Sequence, residues 1–199
     1  MQSNKFKKRF LLTFSVLLLL SISVYFGPSV LGGYAITEHS AIRYTFPNQD
    51  GEIVFEKELE DEKIVIWHTG RVNFIKVIEK PLGILKRVTN IISISGQTDD
   101  EKMNITWSGS KINDKGIYDV VVAAEVLDKE IEKVIVSNEQ NDKKSTPLSV
   151  VKEQSSVFIE MDVSEGFAVH KSRLPNADVG SFSFRGLNSE GEIVSFDIL

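Results

Sequence analysis

Lys5, Lys7, Lys8 and Arg9 stand immediately before a run without charge, residues 10–26, centred on four leucines at 17–20. No other feature restricts so strongly what this chain can fold into. As a helix the run is about 26 Å long, at about 1.5 Å per residue, against a hydrocarbon core of about 30 Å. The uncharged sequence continues through Gly27, Pro28, Val30 and Leu31 to Thr37, so residues 10–31 supply a single transmembrane helix. Thr13, Ser15, Ser21 and Ser23 do not make the polar stripe that a helix buried in a protein core would show. The four cations, with no acid before Glu38, put the N-terminus in the cytoplasm by the positive-inside rule. The chain after about Ala35 is then extracytoplasmic, and the expected location is the cell membrane, crossed once.

Cleavage of a signal peptide is the alternative, which would leave a secreted protein. Gly33-Tyr34-Ala35 puts small residues three and one positions before a cut. The apolar run is longer than the usual signal core of about 7–15 residues, which favours an uncleaved anchor. Either way the body is exported.

Charge divides along the same line. Residues 1–35 hold four of the 23 Lys+Arg and none of the 28 Asp+Glu, which leaves residues 36–199 at −9. An exported acidic body lacks the positive footprint that nucleic-acid binding needs. The absence of Cys excludes disulfides, zinc ribbons, iron–sulfur clusters and thiol nucleophiles.

The body reads as mainly β. Thr37 is placed to cap a short helix that begins at Glu38. Strands are predicted over residues 53–59, 63–68, 72–79 and 84–94, with a hairpin turn at 68–71. Residues 96–102 are the most polar stretch of the middle and mark a boundary or a long surface loop. Beyond it, strands are predicted over 104–108, 118–127, 133–137, 157–161, 181–187 and 192–198. In the second of these Tyr118, Val120, Val122, Ala124 and Val126 share one face, and Asp119, Val121, Ala123 and Glu125 the other. In residues 181–187, Phe182 and Phe184 point one way and Ser181, Ser183 and Arg185 the other, predicting one buried and one wet face. Residues 138–146 read as a loose loop. Short strands near ten residues apart predict an immunoglobulin-like β-sandwich behind a β-hairpin region. The domains expected are 1–35 (cytoplasmic tip and anchor), 36–98 (β-rich, with the short helix) and 99–199 (sandwich).

This layout resembles the small membrane-anchored or secreted envelope proteins of Gram-positive bacteria such as bacilli. The likeness rests on residues 63–67 through 78–85, on residues 118–128, on residues 131–136, and on residues 185–194. These are strand and turn patterns covering about half of the body. The resemblance implies an exported β-sandwich-like module and carries over no catalytic residue.

A search for chemistry yields candidates, each with a plainer reading. His39, His68 and His170 lie far apart, and none has a second ligand at metal spacing. Ser172 and Arg173 beside His170 do not form a triad signal, and no Gly-x-Ser-x-Gly elbow or phosphate loop occurs. Glu52, Glu56, Glu58, Glu60, Asp61 and Glu62 could supply paired carboxylates or hold Ca²⁺. Strand alternation instead sets Glu56, Glu58, Glu60 and Glu62 on one solvated face, and Asp99, Asp100 and Glu101 read the same way. Trp67 and Trp107 sit in apolar runs and read as core rather than as sugar platforms. Asn104-Ile105-Thr106 matches a glycosylation sequon. No catalytic, cofactor-binding or metal residue is therefore assigned. The function expected is a non-catalytic binding or structural module of the cell envelope, membrane-held through residues 10–31, with an envelope protein or wall component as partner. An envelope hydrolase with a carboxylate or metal site assembled across strands is the alternative.

Overall fold

The computed structural model describes residues 3–30, 33–47, 50–80, 85–94, 102–112, 116–139 and 145–199. In the first helix side chains are described for residues 9–23, 25 and 26. The protein is mainly β: among the described residues about half lie in twelve strands that form three antiparallel sheets. It divides into two compact units, Met1–Thr69 with Lys76–Ile91, and Gly70–Ile75 with Ile92–Leu199.

The first unit opens with α1 (Ser3–Val30), followed by β1 (Tyr34–Ala35) and α2 (Glu38–Arg43). The side chains of α1 are apolar on every face and exposed, from Phe10 and Leu11 to Tyr25 and Phe26. Among the described residues no helix is long and apolar enough to cross a membrane. Thr37 caps α2 as predicted, its Oγ1 accepting the Ser40 amide at 3.2 Å. Strands β2 (Glu52–Glu58), β3 (Glu62–His68), β4 (Asn73–Glu79) and β5 (Lys86–Ile94) complete a five-stranded sheet in the order β1-β5-β4-β3-β2. β3 is fully buried from Ile64 to Ile66, which is why it reads as a continuous apolar run. α2 lies over the sheet face that carries Trp67. The His39 ring meets the Trp67 indole edge-on at 6.2 Å, and Ala41 and Ile42 are buried.

The second unit contains β6 (Met103–Lys111), β7 (Ile117–Val126), β8 (Lys133–Ser137), α3 (Leu148–Gln154), β9 (Phe158–Asp162), β10 (Phe167–Pro175), β11 (Ser183–Leu187) and β12 (Ile193–Ile198). One sheet has the order β10-β7-β6 and the other β12-β11-β8-β9. The predicted face of β7 is correct: Val120, Val122 and Ala124 join Val134, Val136, Phe182 and Phe184 in one hydrophobic core. That core draws on both sheets. Its burial is the principal driving force holding them, at roughly 25 cal/mol per Å² of apolar surface.

The structure departs from the sequence reading at three places. No strand was predicted over 167–175, yet β10 pairs with β7 along its whole length, from Phe167 opposite Glu125 to Pro175 opposite Ile117. The chain reaches it through a tight turn in which Glu165 and Gly166 take positive φ values of 53° and 82°. The polar residues of β10 hid its strand character, because sheet hydrogen bonds rather than alternation hold it. Second, the expected wet face of β11 is dry, with Arg185 and Ser183 buried. The segment after β8 closes over it: the buried Glu139 carboxylate accepts from the Arg185 guanidinium. α3 follows with Val151 buried and Lys152 over the Phe158 ring. Third, α3, just beyond the stretch read as loop, is an element that the sequence reading does not assign. The readings at residues 81–83, 96–101, 113–115 and 140–144, including Asp99, Asp100 and Glu101, lie outside the described residues.

Candidate functional site

Two concave places stand out, one in each unit. In the first unit a groove of about 510 Å³ is lined by Tyr25, Phe26, Ile36, Ser40 and Tyr44. Three local facts build it. α1 carries Tyr25 and Phe26 a little over one turn before its end, β1 follows α1 after only three residues, and α2 begins at once behind its Thr37 cap. Tyr44, just past α2, is 72% exposed and Tyr25 65%. Next to this groove β1 pairs with β5, Tyr34 opposite Arg87 and Ala35 opposite Lys86, and the Arg87 guanidinium lies 5.3 Å from the Tyr34 ring centre. Aromatic and hydroxyl-bearing groups thus line the groove, while Arg87 and Lys86 lie on opposite faces of the β1–β5 pair.

The second unit has a more polar pocket of about 390 Å³, lined by Asn138, Glu139, Asp178, Val179 and Ser181. Ser156 ties its wall together. Its hydroxyl lies 2.6 Å from Asp178 Oδ1 and accepts from the Asn138 amide at 2.9 Å, while Asn138 Oδ1 accepts the Val157 amide at 2.9 Å. Behind it, Arg185 donates to Ser137 Oγ at 2.9 Å and to Glu139, and stacks 4.8 Å from the Phe196 ring. Both charged side chains are fully buried. A hydroxyl, an amide and a carboxylate suit a polar ligand held by hydrogen bonds. Among its described partners Ser156 donates to the Asp178 carboxylate and accepts from the Asn138 amide, with no histidine or lysine beside it.

The acidic run is arranged electrostatically rather than catalytically. β2 stops at Glu58, and Glu60 and Asp61 lie in the turn before β3, closed by the Leu59 amide on the Glu62 carbonyl at 2.8 Å. Lys63 gathers Glu38 at 2.8 Å, Glu56 at 2.5 Å and Glu58 at 3.6 Å. Burial works against the Lys63 charge, but the hydrogen bonds it donates to Glu38 and Glu56 outweigh it and hold the ammonium above the ordinary lysine range. A bond from Lys80 at 3.0 Å, helped by Lys63, holds Glu58 below the ordinary carboxylate range.

The remaining sequence candidates do not converge. His39 is exposed on α2, His68 is half-buried at the end of β3, and His170 is half-buried in β10. Among the described residues no three His, Asp or Glu side chains are grouped to hold a metal ion. In β10, His170 and Ser172 lie opposite Val122 and Val120 on the core side, so Arg173 faces the other way. There Arg173 and Lys171 pair with Asp119 at 3.5 and 3.4 Å. Trp67 is 2% exposed, and Trp107 packs edge-on against Phe182 at 5.2 Å. Both indoles therefore work in packing. The sequon residue Asn104 donates to Glu125 at 3.0 Å, and Asn73 donates to the other Glu125 oxygen at 2.8 Å within the second unit.

The sequence reading missed Lys76. Its side chain is fully buried, and its ammonium donates to the Ile42 carbonyl at 2.6 Å and to the Thr45 carbonyl and hydroxyl at 3.3 and 3.2 Å. It closes the C-terminal end of α2, where carbonyls lack helical donors. Burial pushes its pKa down to about 8. A lone Lys inside the apolar pattern of β4 is the only sequence signal for it.

No family model, no curated protein and no solved structure matches the chain.

Proposed function

We propose that the chain is a single-pass, membrane-anchored extracytoplasmic module of the cell envelope that binds or braces rather than catalyses. One observation carries the reading: α1 exposes apolar side chains on all its faces, and the β body begins three residues after it. Exposed apolar surface of this extent marks a membrane or partner contact rather than a water-facing helix. Lys5 to Arg9 orient it with the N-terminus in the cytoplasm. The span is read from the sequence of residues 10–31. The resemblance to Gram-positive envelope proteins points the same way.

The second unit is read as an immunoglobulin-like β-sandwich, supported by the single core to which both of its sheets contribute. Its polar pocket at Asn138, Asp178 and Ser181 is the place for an envelope protein or wall component to bind. No observation favours the hydrolase alternative, because Glu56 and Glu58 are engaged by Lys63 and Lys80.

The test uses the full chain expressed in a Gram-positive host. Carbonate-washed membranes retain it, and the full chain in vesicles co-sediments with wall fragments or captures an envelope protein. Asp178→Ala weakens that capture. Release by carbonate, or no capture of either kind, overturns the proposal.

A further inference from the structure

The polar pocket of the second unit holds a carboxylate that no cation among the described residues neutralises. Asp178 ends a short 3₁₀ turn, Asn176–Asp178, between β10 and β11. Its Oδ1 accepts the Ser156 hydroxyl at 2.6 Å, and its backbone carbonyl accepts the Asn138 amide at 3.2 Å. Its Oδ2 has no partner among the described residues. Glu139 lines the same pocket, but Arg185 holds its carboxylate and the two charges cancel. The described lining is left with one negative charge.

That charge is also held in place. Asn138 bonds Ser156 at 2.9 Å, and its own Oδ1 accepts the Val157 amide at 2.9 Å. The turn is tied at its start, where the Asn176 amide donates to the Gly116 carbonyl at 2.8 Å. Beyond its end, Phe182 exchanges two backbone bonds with Leu199 at 2.9 and 3.0 Å. A receptor group fixed before binding loses little freedom when a ligand arrives.

Charge and size choose the ligand. An anion is repelled by Asp178. A metal ion needs several ligands, and no group of three His, Asp or Glu is present among the described residues. An ammonium needs one carboxylate and a few neutral acceptors. Asp178 Oδ2 supplies the first, and the Ser181 hydroxyl, without a partner among the described residues, supplies one of the others. Ala177 and Val179 offer carbon surface to the stem of an amine. A specific protein interface engages about 20–30 residues a side, whereas a pocket of about 390 Å³ takes one small group.

We infer that the pocket at Asp178 receives a primary ammonium group carried by a wall component. The inference rests on the reading of this pocket as a binding place on an extracytoplasmic body. It adds the chemistry of the group that is bound.

The first arm of the test alters the ligand and leaves the protein untouched. Wall fragments are divided, and one half is treated with acetic anhydride, which turns primary amines into uncharged amides. The full chain in mild detergent is co-sedimented with each. The wild type is expected to bind untreated fragments about fivefold more tightly than acetylated ones, the gain of one partly exposed ion pair. Asp178→Asn keeps an oxygen for Ser156 and removes the charge. It binds untreated fragments about fivefold more weakly than the wild type and barely distinguishes them from acetylated ones. Glu190→Gln removes the same charge from the exposed loop at the opposite end of β11 and retains the wild-type preference. That variant separates the pocket from general repulsion between an acidic body and a wall stripped of cations. Equal binding of treated and untreated fragments by the wild type, or an undiminished preference in Asp178→Asn, overturns the ammonium and leaves a wall-binding module standing. No wall binding by the wild type overturns the inference too, and the module reading is then decided by capture of an envelope protein.

Discussion

Lys76 gives the sharpest test of how the first unit is held together. Its ammonium is fully buried against the end of α2, 5.8 Å from the centre of the Trp67 ring, with its proton held by two carbonyls and one hydroxyl. Burial lowers its pKa from 10.5 to about 8. Between those values the unfolded chain binds a proton that the folded chain has released, so stability rises with pH across that window. Below pH 8 both states carry the charge and the gain is absent. At about 1.36 kcal/mol per pH unit the full rise is about 3.4 kcal/mol, of which about 2.5 appears between pH 7 and 10. Lys63 does not blur this window, because its folded pKa lies above its unfolded one and its contribution holds until the pH passes 10.5. Lys76→Met removes the titrating group at similar length. The assay is urea unfolding of the full chain in mild detergent at pH 7 to 10, in a Trp107→Phe background so that Trp67 reports alone. The wild-type free energy climbs with pH, while that of Lys76→Met stays flat. Parallel curves for the two would refute the claim that Lys76 is charged and poorly solvated in the fold.

Two further outcomes follow from the second unit. Glu139→Gln leaves the buried Arg185 charge without its carboxylate and destabilises by about 3–5 kcal/mol, whereas Arg185→Met with Glu139→Gln recovers most of the loss; denaturant midpoints of the two variants check this. Gly186→Ala puts a Cβ 2.8 Å from Ile131 Cδ1 and 3.1 Å from Met103 Sδ, within the packed core, and costs about 1–3 kcal/mol by the same measurement.

What was legible in the sequence depended on how local the governing physics was. The Thr37 cap needs only Ser40, three residues on, so it could be read directly. β7 was legible because Val120, Val122 and Ala124 alternate with period two against one core. The acidic run was legible only in part: Glu56 and Glu58 project together toward Lys63 and Lys80, but the turn after Glu58 breaks the alternation expected through Glu60 and Glu62. Arg185 was not. Alternation places it away from Phe184, but only the distant Glu139 and α3 decide that this side is dry. β10 was missed for a related reason: Val169 to Arg173 owe their strand to β7, more than forty positions earlier. Lys76 reads as an interruption of an apolar strand until α2 is laid over it. The polar pocket joins the end of β8 to the turn before β11, a juxtaposition that no spacing announces.

The central claim is that the body stands outside a membrane crossed once by residues 10–31. Because the chain has no Cys, Ser189→Cys in the exposed β11–β12 loop and Ser3→Cys at the first residue of α1 each give a single reactive thiol. A membrane-impermeant maleimide is applied to intact Gram-positive cells expressing either full-length variant. The account predicts labelling of Ser189→Cys in intact cells and of Ser3→Cys only after the membrane is opened. Labelling of Ser189→Cys only after permeabilisation would contradict it.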